Sequence, residues 1–347
     1  MRLGCAIPLE SLPAGLAAYQ PALDPRPLLL DRGWVENLLH LQQLLLTALQ
    51  GLLAQEETAD FLELTGVARD QIRWANQFPL RLGCLRPDFV IDIHGNPFLC
   101  EINARFPVNG FLASAYLSDQ FGVALPHYTP TCSGDQIRDA LKLPVGSLIV
   151  KGREPGWDIH QLSLEQNAPI VRAMPARASL LVLELHQDEL VQPTGCQPYF
   201  NDLRTQWLGH DKRLLQLLGQ PHRLEPWLGP AAQRLSEFIL PTRSLRDGRD
   251  FSQFSVLKPN RSGKGEGLVF GHDLRPEEWQ QRLASAPAEW VVQTYMESLT
   301  LGTDRLVGTL LSRDRQSLGL GIFRASPHRV VNVSGGGRVL FPMIHDA

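Results

Sequence analysis

Between Arg86 and Phe111 the sequence RPDFVIDIHGNPFLCEINARFPVNGF places Asp88, Glu101 and Asn103 in two short apolar runs. The turn-forming His94-Gly95-Asn96-Pro97 separates the runs. Alternation of polar and apolar residues predicts a hairpin with Asp88, Glu101 and Asn103 on one face. Hard oxygen donors from adjacent strands suit Mg²⁺, which is commonly held by one or two carboxylates together with substrate phosphates. A solvated acidic face would show the same alternation, so the hairpin alone leaves both open. Arg86 and Arg105 flank it, adding cations beside the carboxylates.

A second chemically loaded stretch is LKPNRSGKGEGL, residues 257–268. Lys258 lies on a predicted strand that runs into a glycine-rich loop. Glycine permits close backbone approach and positive φ, so such a loop can turn N–H groups onto phosphates. It is not a Walker A loop: Lys264 is followed by glycine, and the required upstream glycine is missing. A plain hairpin turn is compatible with the same residues. The chain has only five lysines, at 142, 151, 212, 258 and 264, against 28 arginines. Lysine is thus kept for few positions, as expected where a compact ammonium is wanted.

The elements that must carry these residues are legible in outline. Leucines at helical spacing predict a long, largely buried helix over 34–55. A loop and helix follow the hairpin at 107–120. LPVGSLIVKG reads as a buried strand entering the turn at 153–156, and 179–190 holds a second strand, so 142–200 forms a small βα unit. The stretch 202–219 turns helical in its second half and stops at Gly219 and Pro221. Residues 241–248 read as a loop. Strands are expected at 254–259 and 289–296, and a strand pair at 305–311 and 318–324, ahead of NVSGGGRV at 332–339. Antiparallel pairs mixed with helices point to α+β lobes rather than one doubly wound sheet.

Composition sets the remaining bounds. At 347 residues the chain can hold two or three domains. A net charge of -3 argues against a nucleic-acid binder with a broadly basic surface, while leaving room for local anion pockets. The five cysteines show no CxxC spacing, which points to reduced thiols and a cytoplasmic setting. No apolar run of about 18 residues predicts a membrane span.

Taken together, these motifs resemble the ATP-grasp superfamily of carboxylate–amine ligases, with the segments in circularly permuted order. The hairpin resembles the final metal-binding strands of D-alanine–D-alanine ligases, including the arginine two residues before the aspartate. His210-Asp211-Lys212 resembles the first nucleotide lysine, and VLKPNRSGKGEG the second lysine with its flexible loop. VVQTYM resembles the hinge strand that holds adenine, though Gln293 stands where an acidic residue is common. DRLVGTLL and FRASPHRVVNVSGGG resemble segments of ribosomal-protein glutamate ligases and glutathione synthetases. The family's usual last strands come first here, and the chain ends just after the Gly-Gly segment. Glutathionylspermidine-synthetase-like proteins show a related permutation. The resemblance covers most of 86–111 and 202–340.

The resemblance implies two α+β lobes clamping ATP, plus a small α/β substrate lobe. Its divisions are 1–135 for the lobe carrying the metal hairpin, 136–235 for the substrate lobe, 236–296 for the lid lobe, and 297–347 for the return to the first. It implies ATP and Mg²⁺ as cofactors, small-molecule carboxylate and amine substrates, and no nucleic-acid or membrane partner. Asp88, Glu101 and Asn103 would hold the metal. Lys212 and Lys258 would meet the phosphates, with Ser262, Gly263, Lys264, Gly265 and Gly267 in the covering loop. Gln293, Tyr295 and Glu297 would serve the adenosine, and Arg86, Arg305 and Arg324 the transferred phosphate or oxyanion. Arg105, Arg204, Asn332 and Gly336 are the candidate substrate contacts, and Trp157, Asp158, His160, Asn201 and Asp202 further polar candidates in the middle lobe. Amide formation through an acyl phosphate is the expected reaction; a nucleotide-binding regulator without turnover and a small-molecule kinase are the alternatives. The permutation also predicts that 338–347 and 20–34 lie side by side.

Overall fold

A computed structural model describes residues 1–154, 156–175, 177–190, 198–263 and 265–345. The long helix forms over Arg32–Leu52, started by Asp31, whose carboxylate accepts from the Trp34 N–H at 2.9 Å. Val35, Leu38, Leu45, Leu46, Leu49 and Leu52 recur at the i, i+3, i+4 spacing and bury that face. The stripe packs on the main sheet, where Gln42 donates to the Leu311 carbonyl at 2.8 Å.

The main sheet has seven strands. Arg338–Leu340, Phe323–Ser326, Asp304–Arg313, Cys84–Ile91 and Pro97–Asn103 lie in that order, with Gln316–Leu320 and Thr300–Leu301 also pairing with Asp304–Arg313. The hairpin from the first third of the chain therefore completes a sheet whose other strands come from the last fifth: Thr309 faces Asp88 and Val307 faces Val90. The expected strand pair is realised with a break at Gly321, after which the chain pairs again with Asp304–Arg313 on the way back.

A second, four-stranded antiparallel sheet runs Val269–Phe270, Ser255–Lys258, Val291–Thr294, Thr242–Ser244. Leu257, Val292 and Leu245 pack beneath the helix Pro276–Ser285 through Trp279 and Leu283. The expected loop at 241–248 is thus corrected: Thr242–Ser244 is an edge strand held by backbone pairing, with no apolar run to announce it. A third, parallel sheet joins Ile170–Val171, Leu148–Lys151 and Leu181–Glu184, the expected βα unit. The helices Pro221–Leu228 and Ala231–Phe238 pack on Arg32–Leu52.

The chain ends meet as predicted. Pro342–His345 pairs in parallel with Leu28–Asp31, Met343 facing Leu29 and His345 facing Asp31. Both strands finish beside the start of Arg32–Leu52, so a chain leaving His345 stands where the long helix begins. No helix among the described residues is long and apolar enough to cross a membrane.

Candidate nucleotide and substrate cleft

Antiparallel register places Arg86 opposite Asn103 and Asp88 opposite Glu101, so all four side chains share one face. A bulge after Asp88 shifts the register, and the Cys100 thiol donates to the Asp88 carbonyl at 3.3 Å. Asp88 is 1% exposed. Its carboxylate is clamped by two guanidiniums: Arg86 through Nε at 3.0 Å, and Arg324, two strands away across Asp304–Arg313, at 2.5 Å. Glu101 meets Lys212 Nζ at 3.4 Å and accepts from the Asn103 amide at 3.3 Å. Burial would raise the Glu101 pKa, but Lys212, Lys258 and Arg324 outweigh it and hold the group far below the usual carboxylate range. Two carboxylates thus face four cations, and the surplus of positive charge is what a polyphosphate would neutralise.

The donor chemistry of this face fits Mg²⁺ in part. Glu101 and Asn103 line the cleft, with Glu101 Oε1 accepting from Asn103 and Oε2 facing Lys212. Asp88 has both oxygens engaged by guanidiniums and reaches a metal only if one of them is drawn away to the phosphates. No cluster of three metal-ligating carboxylate, histidine or cysteine side chains occurs among the described residues.

Two chambers open from this face. The smaller, about 160 Å³, lies between the main sheet and the four-stranded sheet. Val90, Leu240, Val256, Leu268 and Val307 supply apolar walls, and Lys212, Lys258 and Arg305 line its charged side. Desolvation lowers the Lys258 pKa, although Cys100 and Glu101 act the other way. Gln293 is fully buried in the wall; its amide donates to the Cys100 carbonyl at 3.1 Å and to Thr242 Oγ1 at 2.9 Å. That spends the side-chain N–H groups on tying the two sheets together, and Oε1 has no partner. Tyr295 is on the wall and packs against His272, ring centroids 4.3 Å apart.

The base of the glycine loop is pinned by Asp211. Its carboxylate accepts from Arg213, from Asn260 at 3.0 Å and from Arg261 at 3.0 Å, while Lys212 donates to the Ser262 carbonyl at 2.6 Å. The His210-Asp211-Lys212 motif therefore does two jobs: its aspartate anchors the loop and its lysine faces the cleft. Burial drives the His210 pKa down to about 3, so that ring is neutral.

The larger chamber, about 580 Å³, lies on the other side of the same face. Tyr19, Arg86, Arg105, Trp157, Glu184 and Trp207 are among its walls. Glu101, Ser262, Glu266, Arg324 and Asn332 line both chambers, so the two meet at the carboxylate hairpin and the glycine loop.

Several expected residues stand elsewhere. Arg204 is corrected outright: Nε and Nη2 are forked onto Asp202 at 2.9 and 2.6 Å, and Nη2 also donates to the Phe78 carbonyl, away from both chambers. Glu297 is exposed and off the walls, as is Gly336 at a turn tip with φ of 85°. Gly267 turns against Pro259 rather than the cleft. Asn332 reaches both chambers, but its side chain accepts from the Gly335 N–H and so organises its own turn. Lys264 lies outside the described residues. In the middle region Trp157 lines the larger chamber, whereas Asp158 caps the helix Phe111–Ala124 by accepting from the Leu112 and Ala113 N–H groups. Asn201 is consumed by Cys84 and Ala104 backbone groups, and His160 is exposed. Glu154, Glu184 and His186 in the larger chamber, and Asp211 under the loop, were missed as site residues. The signal for Glu184 was a charged residue closing the apolar strand LVLE.

Two α+β units closing on a cleft, one bearing a glycine-rich loop and the other a carboxylate hairpin, are the arrangement of an ATP-grasp-type fold. A family model described as the AnkG N-terminal domain matches residues 42–189. The "ATP-grasp enzyme ankG" of Aspergillus thermomutatus is 23% identical over 418 aligned positions, covering 90% of this chain and 86% of that protein. Among solved structures, a glutathione synthetase-like effector from Globodera pallida in its apo form superposes with a TM-score of 0.58 at 10% identity, over 92% of this chain and 89% of that one. A putative gamma-glutamylcysteine synthetase from Methylobacillus flagellatus gives a TM-score of 0.43 at 12% identity, over 91% of this chain and 89% of that one.

Proposed function

We propose that the protein is an ATP-dependent carboxylate–amine ligase that forms an amide through an acyl phosphate and releases ADP and phosphate. The observation that carries the reading is the meeting of a slot and a larger chamber at one shared wall of Glu101, Ser262, Glu266, Arg324 and Asn332. ATP in the slot would place its terminal phosphate at that wall, and a carboxylate in the larger chamber would face it.

The carboxylate oxygen attacks the γ-phosphorus and ADP leaves. An amine then attacks the acyl carbon, and the tetrahedral intermediate expels phosphate as the amine loses its proton. Phosphoryl transfer of this kind needs positioning and charge stabilisation more than covalent help. Lys212 and Lys258 would hold the phosphates against the slot. Arg324 and Arg86, already oriented by Asp88, would stabilise the transferred group, with Arg305 at the slot's outer edge. Glu101 and Asn103, joined by Asp88 once a guanidinium moves, would hold Mg²⁺, which when bound neutralises phosphate charge. In this reading 236–296 closes over the nucleotide, and the region 136–235 supplies about a third of the substrate chamber's walls.

The test is ADP and phosphate release screened against amino acids, polyamines and small carboxylates, with mass spectrometry of products. Release that requires both a carboxylate and an amine, with an amide product, supports the ligase. Phosphate retained on the product makes it a kinase. Nucleotide binding without turnover against the whole panel makes it a regulator.

A further inference from the structure

The larger chamber carries two buried groups of opposite charge that the fold does not pair with each other. Glu184 closes the strand Leu181–Glu184 and is 2% exposed, and its Oε2 has no hydrogen-bond partner. Lys151 faces it across the parallel register, but that ammonium is committed to the Glu154 carbonyl. Gly156, at φ of 54°, brings the backbone close past the carboxylate; a Cβ there would stand 2.7 Å from Glu184 Oε1. Arg105 is 6% exposed, stacked over Phe106 at 4.4 Å, and its Nε has no partner. Its one hydrogen bond among the described residues is a long one, 3.4 Å, to the Arg261 carbonyl.

Most of the other wall charges are matched, and Glu266 is exposed to solvent. Arg153 pairs with Asp188 at 2.9 Å, Glu154 with His186 at 2.7 Å, and Arg86 with Asp88 at 3.0 Å. Leaving a carboxyl group and a guanidinium buried without hydrogen-bond partners for their polar atoms is costly. Chambers that keep such groups are commonly shaped for a ligand that supplies the missing partners.

We infer that the larger chamber is built for a zwitterionic substrate, with Glu184 receiving its ammonium or guanidinium and Arg105 receiving its carboxylate. An α-amino acid has the required chemistry; a polyamine lacks the anion and a dicarboxylic acid lacks the cation. The inference rests on the ligase reading only in treating the occupant as a substrate. Titration supports it. Burial, with Asp158 and Glu154 adding to it against Lys151 and Arg105, raises the Glu184 pKa to about 8, so in the empty chamber the carboxyl is largely protonated at neutral pH. A bound cation favours the ionised form, and the proton is released to solvent.

The experiment uses the full chain saturated with ADP. Trp157 and Trp207 line the chamber and report binding by fluorescence. The probes are the twenty α-amino acids, spermidine and succinate. At least one amino acid should bind saturably while spermidine and succinate do not. Glu184→Gln should weaken that binding about tenfold or more, as loss of a charged hydrogen bond does, with ADP affinity unchanged. Calorimetry at pH 7 in buffers of different ionisation enthalpy should show proton release in the wild type and none in Glu184→Gln. Binding of no amino acid, equal binding of spermidine or succinate, or an unchanged affinity in Glu184→Gln would overturn the assignment. Amide formation from a substrate lacking either charge would sink it while leaving the ligase standing; zwitterion binding without phosphoryl transfer would do the reverse.

Discussion

Asp88→Asn isolates what the carboxylate does for the two guanidiniums that clamp it. The substitution keeps the shape and removes the charge, leaving Arg86 and Arg324 facing each other with no counter-ion. Breaking a buried ion pair from one side typically costs about 3–5 kcal/mol. The two arginine side chains are 12% and 16% exposed and open onto the cleft, so water reaches them. A loss of about 2–3 kcal/mol is therefore expected. With an unfolding entropy of roughly 2.1 cal/mol/K per residue, that is a fall in Tm of about 3–4 °C if the chain unfolds as one unit. The informative measurement is the same melt with ATP and EDTA present. If Asp88 stores the guanidiniums for phosphate, the nucleotide supplies the missing anion, and its Tm increment should be larger in the variant than in the wild type. A variant as stable as the wild type without nucleotide, or one given a smaller increment by ATP, would refute the reasoning.

Glu101→Gln should nearly abolish turnover while the chain still folds, with Tm lowered because the charge that Lys212 and Lys258 face is gone, and full activity would remove Glu101 from the metal assignment. Backbone amides over 260–267 should exchange quickly without nucleotide and become protected with it, because glycines at 263, 265 and 267 give the loop few apolar anchors; equal protection in both states would contradict a lid. A chain in which Ala347 is joined to Met1 by a flexible linker and reopened near 135 should fold and keep nucleotide binding, as checked by circular dichroism and calorimetry. Glu184 is raised to about 8 in the folded state, so the unfolded chain binds fewer protons than the native one above about 4.5. Its contribution is full below that pH and is lost as pH rises through 8, and Glu184→Gln should flatten this part of a Tm-against-pH profile.

The hairpin was legible because alternation and a turn sequence together fix which residues share a face, and the register then places Asp88 opposite Glu101. The clamp on Asp88 was half legible: Arg86 is two residues away on the same strand face, whereas Arg324 arrives from a strand more distant in sequence than any local pattern can see. Arg204 was misread although a signal existed. Asp24-x-Arg26, Asp202-x-Arg204 and Asp211-x-Arg213 all fold into the same local fork, the aspartate accepting from the backbone N–H and Nε of the arginine two residues on. An arginine in that spacing is consumed by its neighbour and is poorly placed to hold a ligand. The larger chamber was not legible, since its walls come from the hairpin's exit, the ends of two parallel strands and the turn at 205–209, which only the tertiary arrangement brings together.

The central pairing of Cys84–Ile91 with Asp304–Arg313 bears on how the chain is made. Val90 and Val307 are neighbours in the sheet but roughly 220 residues apart, and at about 5–20 residues per second the hairpin waits some 10–40 s for its partner strand during synthesis. Until then the Cys84–Ile91 strand has an open edge flanked by Phe89 and Ile91, the kind of template on which another nascent chain can pair. In the order obtained by joining the chain ends and reopening near 135, Val90 and Val307 would stand about 130 residues apart. Placing the hairpin first therefore lengthens the wait by roughly two thirds, and production of this protein should depend on holdase chaperones and low temperature more than its native packing would suggest.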